Sequence, residues 1–193
     1  EVQQLRRLAL RSVLSEWEYG RVTSLIRALT RQGFVRSVSG RLESAIANGL
    51  ELWHETKQDP ETWGVPGYPF SPVTVERVQA CQQVLATLSD ELPRTKKGTI
   101  NSAWQKAVTN IAGAVETGDW EGVLGSGLLE KVRTGETTFS RATITDEMAE
   151  GLLVVIGLAC DGVAAALHEM TRLHHQLNSA VGARYERLRE TRG

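Results

Sequence analysis

From Met148 to Tyr185 an apolar side chain returns at every third or fourth residue, through Leu152, Val155, Ala159, Val163, Ala166, Met170, Leu173, Leu177 and Val181. A helix turns once in about 3.6 residues, so this spacing lays a continuous apolar stripe along one side of a helix. In a strand it would scatter the same residues over both faces. The run is much longer than an average helix, and a bend or break is expected near 178–182, at Asn178 and Gly182. The same period governs the rest of the chain. It appears in Val2, Leu5, Leu8, Ala9, Val13 and Trp17, in Val22, Leu25, Ile26 and Leu29, and in Val38, Leu42, Ala45, Ile46, Leu50 and Trp53. Val75, Val78, Cys81, Leu85 and Leu88 repeat it, as do Trp104, Ala107, Val108 and Ile111, then Trp120, Val123, Leu124, Leu128 and Leu129. No segment alternates with period two and no internal repeat emerges. The fold expected is all-α.

Breaks between these runs set the organisation. Gly20 and Gly33 stand where the first two runs stop. Residues 58–72 hold four of the five prolines and, with Trp63, Tyr68 and Phe70, read as a loop packed on its own aromatics. Ser71-Pro72 has the form of an N-cap followed by a first helical residue. A second break, 89–98, carries Pro93 and ends in Gly98. The division expected is therefore two small helical bundles, 1–90 and 99–193, joined by a linker at 91–98, with a long C-terminal helical segment. Gly122, Gly125 and Gly127 weaken a helix expected over 120–129, and 134–144 reads as a polar, threonine-rich loop. Thr145 followed by Asp146 and Glu147 suits the positive N-terminal end of a helix.

A chain of 193 residues with 41% hydrophobic and 23% charged residues can bury a core and is too apolar to stay disordered. Its most apolar stretch, Gly151–Leu167, contains Asp161 and falls short of the roughly 20 residues of a membrane span. It reads as a core helix of a soluble protein, so membrane contact is expected to be peripheral. The opening residues are charged and no apolar segment follows, so no secretory signal is expected. Cys81 and Cys160 lie far apart and outside any Cys-x-x-Cys, pointing to a reducing compartment and two small hydrophobes rather than a disulfide or zinc ribbon.

Catalytic signatures are missing: there is no phosphate-binding Gly-x4-Gly-Lys loop, no dinucleotide fingerprint, no Gly-x-Ser-x-Gly and no His-Glu-x-x-His. No enzyme activity, cofactor or metal is expected. His168, His174 and His175 share one helical stretch with Cys160, but Cys160 and His168 are two turns apart, about 12 Å along the axis. That separation exceeds what one zinc ion spans at ligand distances of about 2.0–2.3 Å. A mild response to pH near 6.5 suits these histidines better.

Charge carries the main functional signal. The net charge is −1, yet it is laid out in blocks. Residues 1–41 hold eight arginines against three acids, 42–92 eight acids against two bases, 93–106 four bases and no acid, and 107–162 nine acids against three bases. Residues 163–193 are again mildly basic. Blocks that fold onto separate faces let copies meet positive against negative. The candidate membrane-binding residues are Arg6, Arg7 and Arg11 in the first helix and Arg94, Lys96, Lys97 and Lys106 in the central basic block. At about 1 kcal/mol for each charge near anionic lipid, five net charges give about 5 kcal/mol, a dissociation constant of about 0.2 mM. One copy holds a membrane weakly; many linked copies hold it firmly. Non-specific RNA binding fits less well in a chain of pI about 6.5.

Three stretches resemble the matrix proteins of orthomyxoviruses, the influenza-type viruses. Leu50-Glu-Leu-Trp53 precedes a proline loop, and Ser71-Pro72-Val73-Thr74 opens an apolar helix ending in Ala86-Thr87-Leu88. Pro93 through Gly98 to Trp104 is similar to the family's proline, charged turn, glycine and aromatic-bearing helix. Thr145-Asp-Glu-Met-Ala-Glu-Gly-Leu152 is similar to a family helix start. The likeness covers about 50–168. The chain departs from the family at Asn101-Ser-Ala, where the family has an arginine run, and at Trp120–Val132, which lacks the family's basic helix. At the family's Cys/His cluster it has Val154, Gly157, Ala165 and His168. A divergent member, of the isavirus or thogotovirus kind, fits best. The resemblance implies a layer that self-assembles beneath the viral envelope, touches anionic membrane and bridges to the ribonucleoprotein. The places implied are the virion, the host cytoplasm, the plasma membrane and the nucleus. The competing expectation is a cellular helical adaptor that binds a protein partner through an apolar groove.

Overall fold

The computed structural model describes residues 2–30, 37–56 and 70–191. Among them lie eight helices: α1 (Val2–Glu16), α2 (Tyr19–Thr30), α3 (Val38–Thr56), α4 (Val75–Asp90), α5 (Ser102–Thr117), α6 (Trp120–Leu124), α7 (Gly127–Arg133) and α8 (Asp146–Glu190). One antiparallel pair, β1 (Thr138–Phe139) and β2 (Ala142–Thr143), is the only regular sheet among the described residues. The fold is all-α with a long C-terminal helix, as the periodicity requires.

The chain forms two compact units, Glu1–Tyr68 with Ala166–Gly193, and Pro69–Ala165. The first is built from α1, α2, α3 and the later part of α8. The second is built from α4 to α7, the strand pair and the earlier part of α8. This is not the expected division into 1–90 and 99–193. Residues 91–98 lie inside the second unit, because Asn101 N donates to Pro93 O (2.8 Å) and Arg94 pairs with Ile100 across a bridge, closing the stretch into a hairpin.

In the first unit the core is Ala9, Leu10, Val13, Leu25, Leu42, Ile46, Leu50, Trp53, Leu173, Leu177 and Val181. Helices α3 and α8 approach closely because each offers the other a glycine. A Cβ on Gly49 would lie 2.3 Å from Asn178 Nδ2, and one on Gly182 would lie 2.5 Å from the Trp53 ring. This explains why α8 does not break at 178–182. Asn178 is fully buried and its Nδ2 donates to His174 O at 2.9 Å within the helix, while Gly182 is a notch for an indole.

In the second unit Trp104, Val108, Ile111, Leu128, Leu129, Leu152, Val155 and Leu158 form the centre of the core. Trp104 is fully buried, and its Nε1 donates to Phe139 O at 2.9 Å. Gly162 of α8 repeats the glycine–tryptophan device: its Cβ would lie 2.4 Å from the Trp120 ring. The 45-residue α8 is long and apolar enough to cross a membrane by length and composition alone. A third of its most apolar window is buried, while Leu153 and Val154 are about half exposed. The stretch read as a core helix therefore buries one side only.

Several expected boundaries move. Gly20 lies inside α2, whose first hydrogen bonds run from Arg21 N and Val22 N to Glu18 O. Helix α4 is capped by Thr74, which accepts from Arg77 N, and not by Ser71. Ser71 and Pro72 are committed elsewhere: their carbonyls accept from Arg77 Nη1, and Ser71 N donates to Asp161 Oδ1. The helix expected over 120–129 is divided between α6 and α7, with Gly125 and Ser126 at the break. The 134–144 loop contains the strand pair, turned through Ser140 and Arg141 at φ 48° and 64°. Thr145 does start α8, its hydroxyl accepting from Met148 N. The loop at 58–72 lies, apart from its last three residues, outside the described residues.

Candidate functional site

Two surfaces concentrate the basic residues singled out in the sequence, one in each unit. In the first unit, α1 presents Arg6, Arg7 and Arg11. Arg7 Nη2 donates to Glu43 Oε2 on α3 at 3.0 Å. Both side chains are well exposed, so the pair contributes about 0–1 kcal/mol and offsets one of the three arginines. Arg11 is exposed and, among the described residues, in no ion pair. Arg6 is half-buried, and its Nε is buried without a hydrogen-bond partner. A buried N–H left unsatisfied costs on the order of 1–3 kcal/mol. Arg6 and Arg7 line one cleft of about 260 Å³ between α1 and α3, with Gln3, Glu43 and Ser44 as further polar walls and Leu10 and Ile46 as apolar ones.

In the second unit the Pro93–Asn101 hairpin is fixed by Thr95 N to Thr99 O (2.7 Å), Gly98 N to Thr95 O (2.9 Å) and a hydroxyl contact between Thr95 and Thr99 (2.8 Å). Gly98 takes φ +79°, a left-handed conformation that glycine adopts without steric cost. Arg94 Nη1 folds back to Gly98 O at 3.0 Å, which leaves Lys96 and Lys97 exposed at the tip. Lys106 is exposed about one turn into α5. Among the described residues none of Lys96, Lys97 and Lys106 is in an ion pair. Beside the hairpin stands the Ser140–Arg141 turn, tied to it by Asn101 Nδ2 donating to Ser140 O at 3.0 Å. That turn carries Arg141, which is exposed. Its place depends on the strand pair, and two-residue strands leave no alternation in the sequence to reveal it.

A groove of about 590 Å³ in the second unit runs between α4 and the start of α8. Val84, Leu88 and Met148 line it with apolar surface, and Glu91 and Glu147 place carboxylates on it.

Elsewhere titratable groups are spread out. Among the described residues no three His, Cys, Asp or Glu side chains are grouped to hold a metal ion. His168 is exposed, and His175 Nε2 lies 3.3 Å from Ser179 Oγ. Burial pushes the pKa of His174 down. Cys81 is buried, its thiol pushed up by desolvation, and Cys160 is half-buried; both are free thiols. Asp161 accepts from Arg77 Nη2 at 2.7 Å, and that bond holds its carboxyl below the usual range.

The fold and these surfaces define an all-helical protein with two basic faces, one in each compact unit. Set against protein-family models, curated proteins and solved structures, the chain has no significant match in any of the three.

Proposed function

We propose that the chain is a matrix-type structural protein of the orthomyxovirus kind, which self-assembles into a layer, binds anionic membrane peripherally and bridges to a ribonucleoprotein. The observation that carries this reading is the concentration of cations in the second unit. Lys96 and Lys97 stand at a hairpin tip, the turn bonded to that hairpin's base carries Arg141, and the hairpin's own hydrogen bonds use no carboxylate. Such a cluster meets a negatively charged plane without first breaking ion pairs. The ordered likeness of residues 50–168 to influenza-type matrix proteins supports it. The role is non-catalytic and needs no cofactor.

A second reading, a cellular helical adaptor, is favoured by the groove between α4 and α8, whose apolar lining and two glutamates suit an amphipathic helix with a basic edge. Sedimentation of the purified chain with flotation on neutral and anionic liposomes separates the two. The matrix role requires concentration-dependent assembly and flotation only with anionic lipid, weakening as salt rises. A chain that stays monomeric at high concentration and ignores anionic vesicles removes it.

A further inference from the structure

The cleft between α1 and α3 has a composition that a flat membrane contact does not need. Two arginines, Arg6 and Arg7, line the same small space, together with Ser44. The Nε of Arg6 is removed from solvent and has no acceptor. A guanidinium presents planar, forked donors that match the oxygens of a phosphate two at a time. At about 260 Å³ the space suits a single small group and lies below the usual size of a drug-sized ligand pocket, about 300–1,000 Å³. Glu43 lines the same cleft and holds Arg7 at 3.0 Å. An entering anion would compete with that carboxylate for Arg7.

We propose that the α1–α3 cleft is a binding site for one phosphate group, in which Arg6 and Arg7 grip the oxygens and Glu43 holds Arg7 until the ligand arrives. The proposal rests on the membrane-binding reading only for the lipid as a source of that phosphate. A phosphomonoester lipid headgroup and a free phosphate offer the same chemistry, near −2 in charge and rich in acceptors. A serine headgroup offers a carboxylate and a phosphodiester, each singly charged and offset by its own ammonium, so it draws two guanidiniums less strongly.

The test titrates the 193-residue chain with inorganic phosphate, followed by amide NMR shifts and calorimetry, with chloride at equal ionic strength as control. In parallel it measures flotation on vesicles containing phosphatidic acid or phosphatidylserine at matched surface charge. Phosphate should bind and shift residues of α1 and α3. Arg6→Gln should weaken binding by about tenfold or more, the size of a lost charge-assisted contact. Arg6→Lys, which keeps the charge and the stem but not the fork, should weaken phosphate severalfold. Glu43→Gln, which frees Arg7, should tighten phosphate. Stronger flotation on phosphatidic acid identifies the lipid as the source, and equal flotation with intact phosphate binding identifies a soluble phosphate; both support the site. The proposal is overturned if wild type, Arg6→Lys and Arg6→Gln bind phosphate alike, or if phosphate acts no differently from chloride. In that event salt-sensitive flotation on both vesicles leaves the membrane reading standing. Phosphate binding with no flotation on either vesicle removes the membrane reading and keeps the cleft.

Discussion

Three glycines on α8 meet very different surroundings, and the same substitution at each should have opposite effects. At Gly182 an added Cβ would sit 2.5 Å from two Trp53 ring carbons and 2.9 Å from a third. Relaxed carbon contacts need about 3.5–4.0 Å, so the indole must move by about 1 Å. Trp53 is 8% exposed and sealed into the core of the first unit, so no solvent-facing rotamer offers a cheap escape. Overpacking of this kind costs about 1–3 kcal/mol, and alanine returns about 0.8–1 kcal/mol of helix propensity. With two rigid contacts this short, the upper part of the range applies, and Gly182→Ala should lose about 2 kcal/mol net, a fall of about 4–8 °C in melting temperature for a chain this size. Gly157 has nothing within 4 Å of its would-be Cβ, so Gly157→Ala should gain up to about 1 kcal/mol. Gly162→Ala should fall between them. Its Cβ meets Trp120 at 2.4 Å, but that indole is half-exposed and can swing outward. Urea unfolding by circular dichroism gives the order, and native-state hydrogen exchange locates the loss in the first unit for Gly182 and the second for Gly162. A Gly182→Ala protein as stable as wild type, or one less disturbed than Gly162→Ala, would refute the interlocked geometry.

The remaining expectations concern charge and caps. Asp161→Asn should cost about 1–2 kcal/mol at neutral pH, because it removes the charge that pairs with Arg77 and leaves one accepting oxygen where Arg77 and Ser71 N now use two. Because Arg77 depresses the Asp161 pKa, this contribution is complete above the ordinary carboxylate range and disappears as pH falls through the lowered value, so wild-type and variant urea curves should converge in strong acid. His174 behaves in the opposite chemical sense. Burial lowers its pKa, so below about pH 6.5 the unfolded chain takes up the proton first and the first unit loses stability on acidification. His174→Gln should flatten that fall in a pH series of unfolding midpoints. Combined Lys96→Gln, Lys97→Gln and Arg141→Gln should reduce flotation on anionic vesicles by about 100-fold at low salt, at about 1 kcal/mol per charge, with the gap closing as salt rises. Thr74→Ala should lose about 1 kcal/mol through the α4 cap, read as a lower urea midpoint.

Much of the architecture could be read from the spacing of apolar residues, because burying a helical stripe leaves a period-3.6 trace at each covered position. The positions expected inward at Leu85, Leu88, Val108, Ile111, Leu152, Val155, Leu173 and Leu177 are all buried. What spacing does not encode is which residues a packed structure has already committed. Ser71 has the form of a helix cap, but its backbone groups are claimed by Arg77 and Asp161, which lie 6 and 90 residues away. Gly182 has the form of a helix end, and only the partner indole shows that it is a contact. The charge blocks were equally visible, yet their fates differ. The central block remains largely unneutralised at its hairpin, whereas Arg7 of the α1 block meets Glu43 of α3. Pairing across elements far apart in sequence erased part of one block and spared the other.

That difference bears on how a layer would hold its membrane under the proposed role. Lys96, Lys97, Lys106 and Arg141 supply four exposed cations without an ion pair among the described residues, and Arg94 a fifth that is bound to its own loop. At about 1 kcal/mol for each charge near anionic lipid, four or five cations give about 4–5 kcal/mol and a single-copy dissociation constant of about 0.2–1 mM. If assembly brings neighbours to an effective concentration of about 1 mM, each added copy multiplies retention by roughly two to five. A patch of six copies would then hold about 30- to 3,000-fold better than one, with no new contact to the lipid. Membrane retention should therefore rise steeply at the concentration where self-association begins and be slight below it. Flotation at a series of protein concentrations, compared with sedimentation at the same points, makes the dependence visible. Full retention of a strictly monomeric chain would place the binding energy outside these cations and break the link between assembly and membrane.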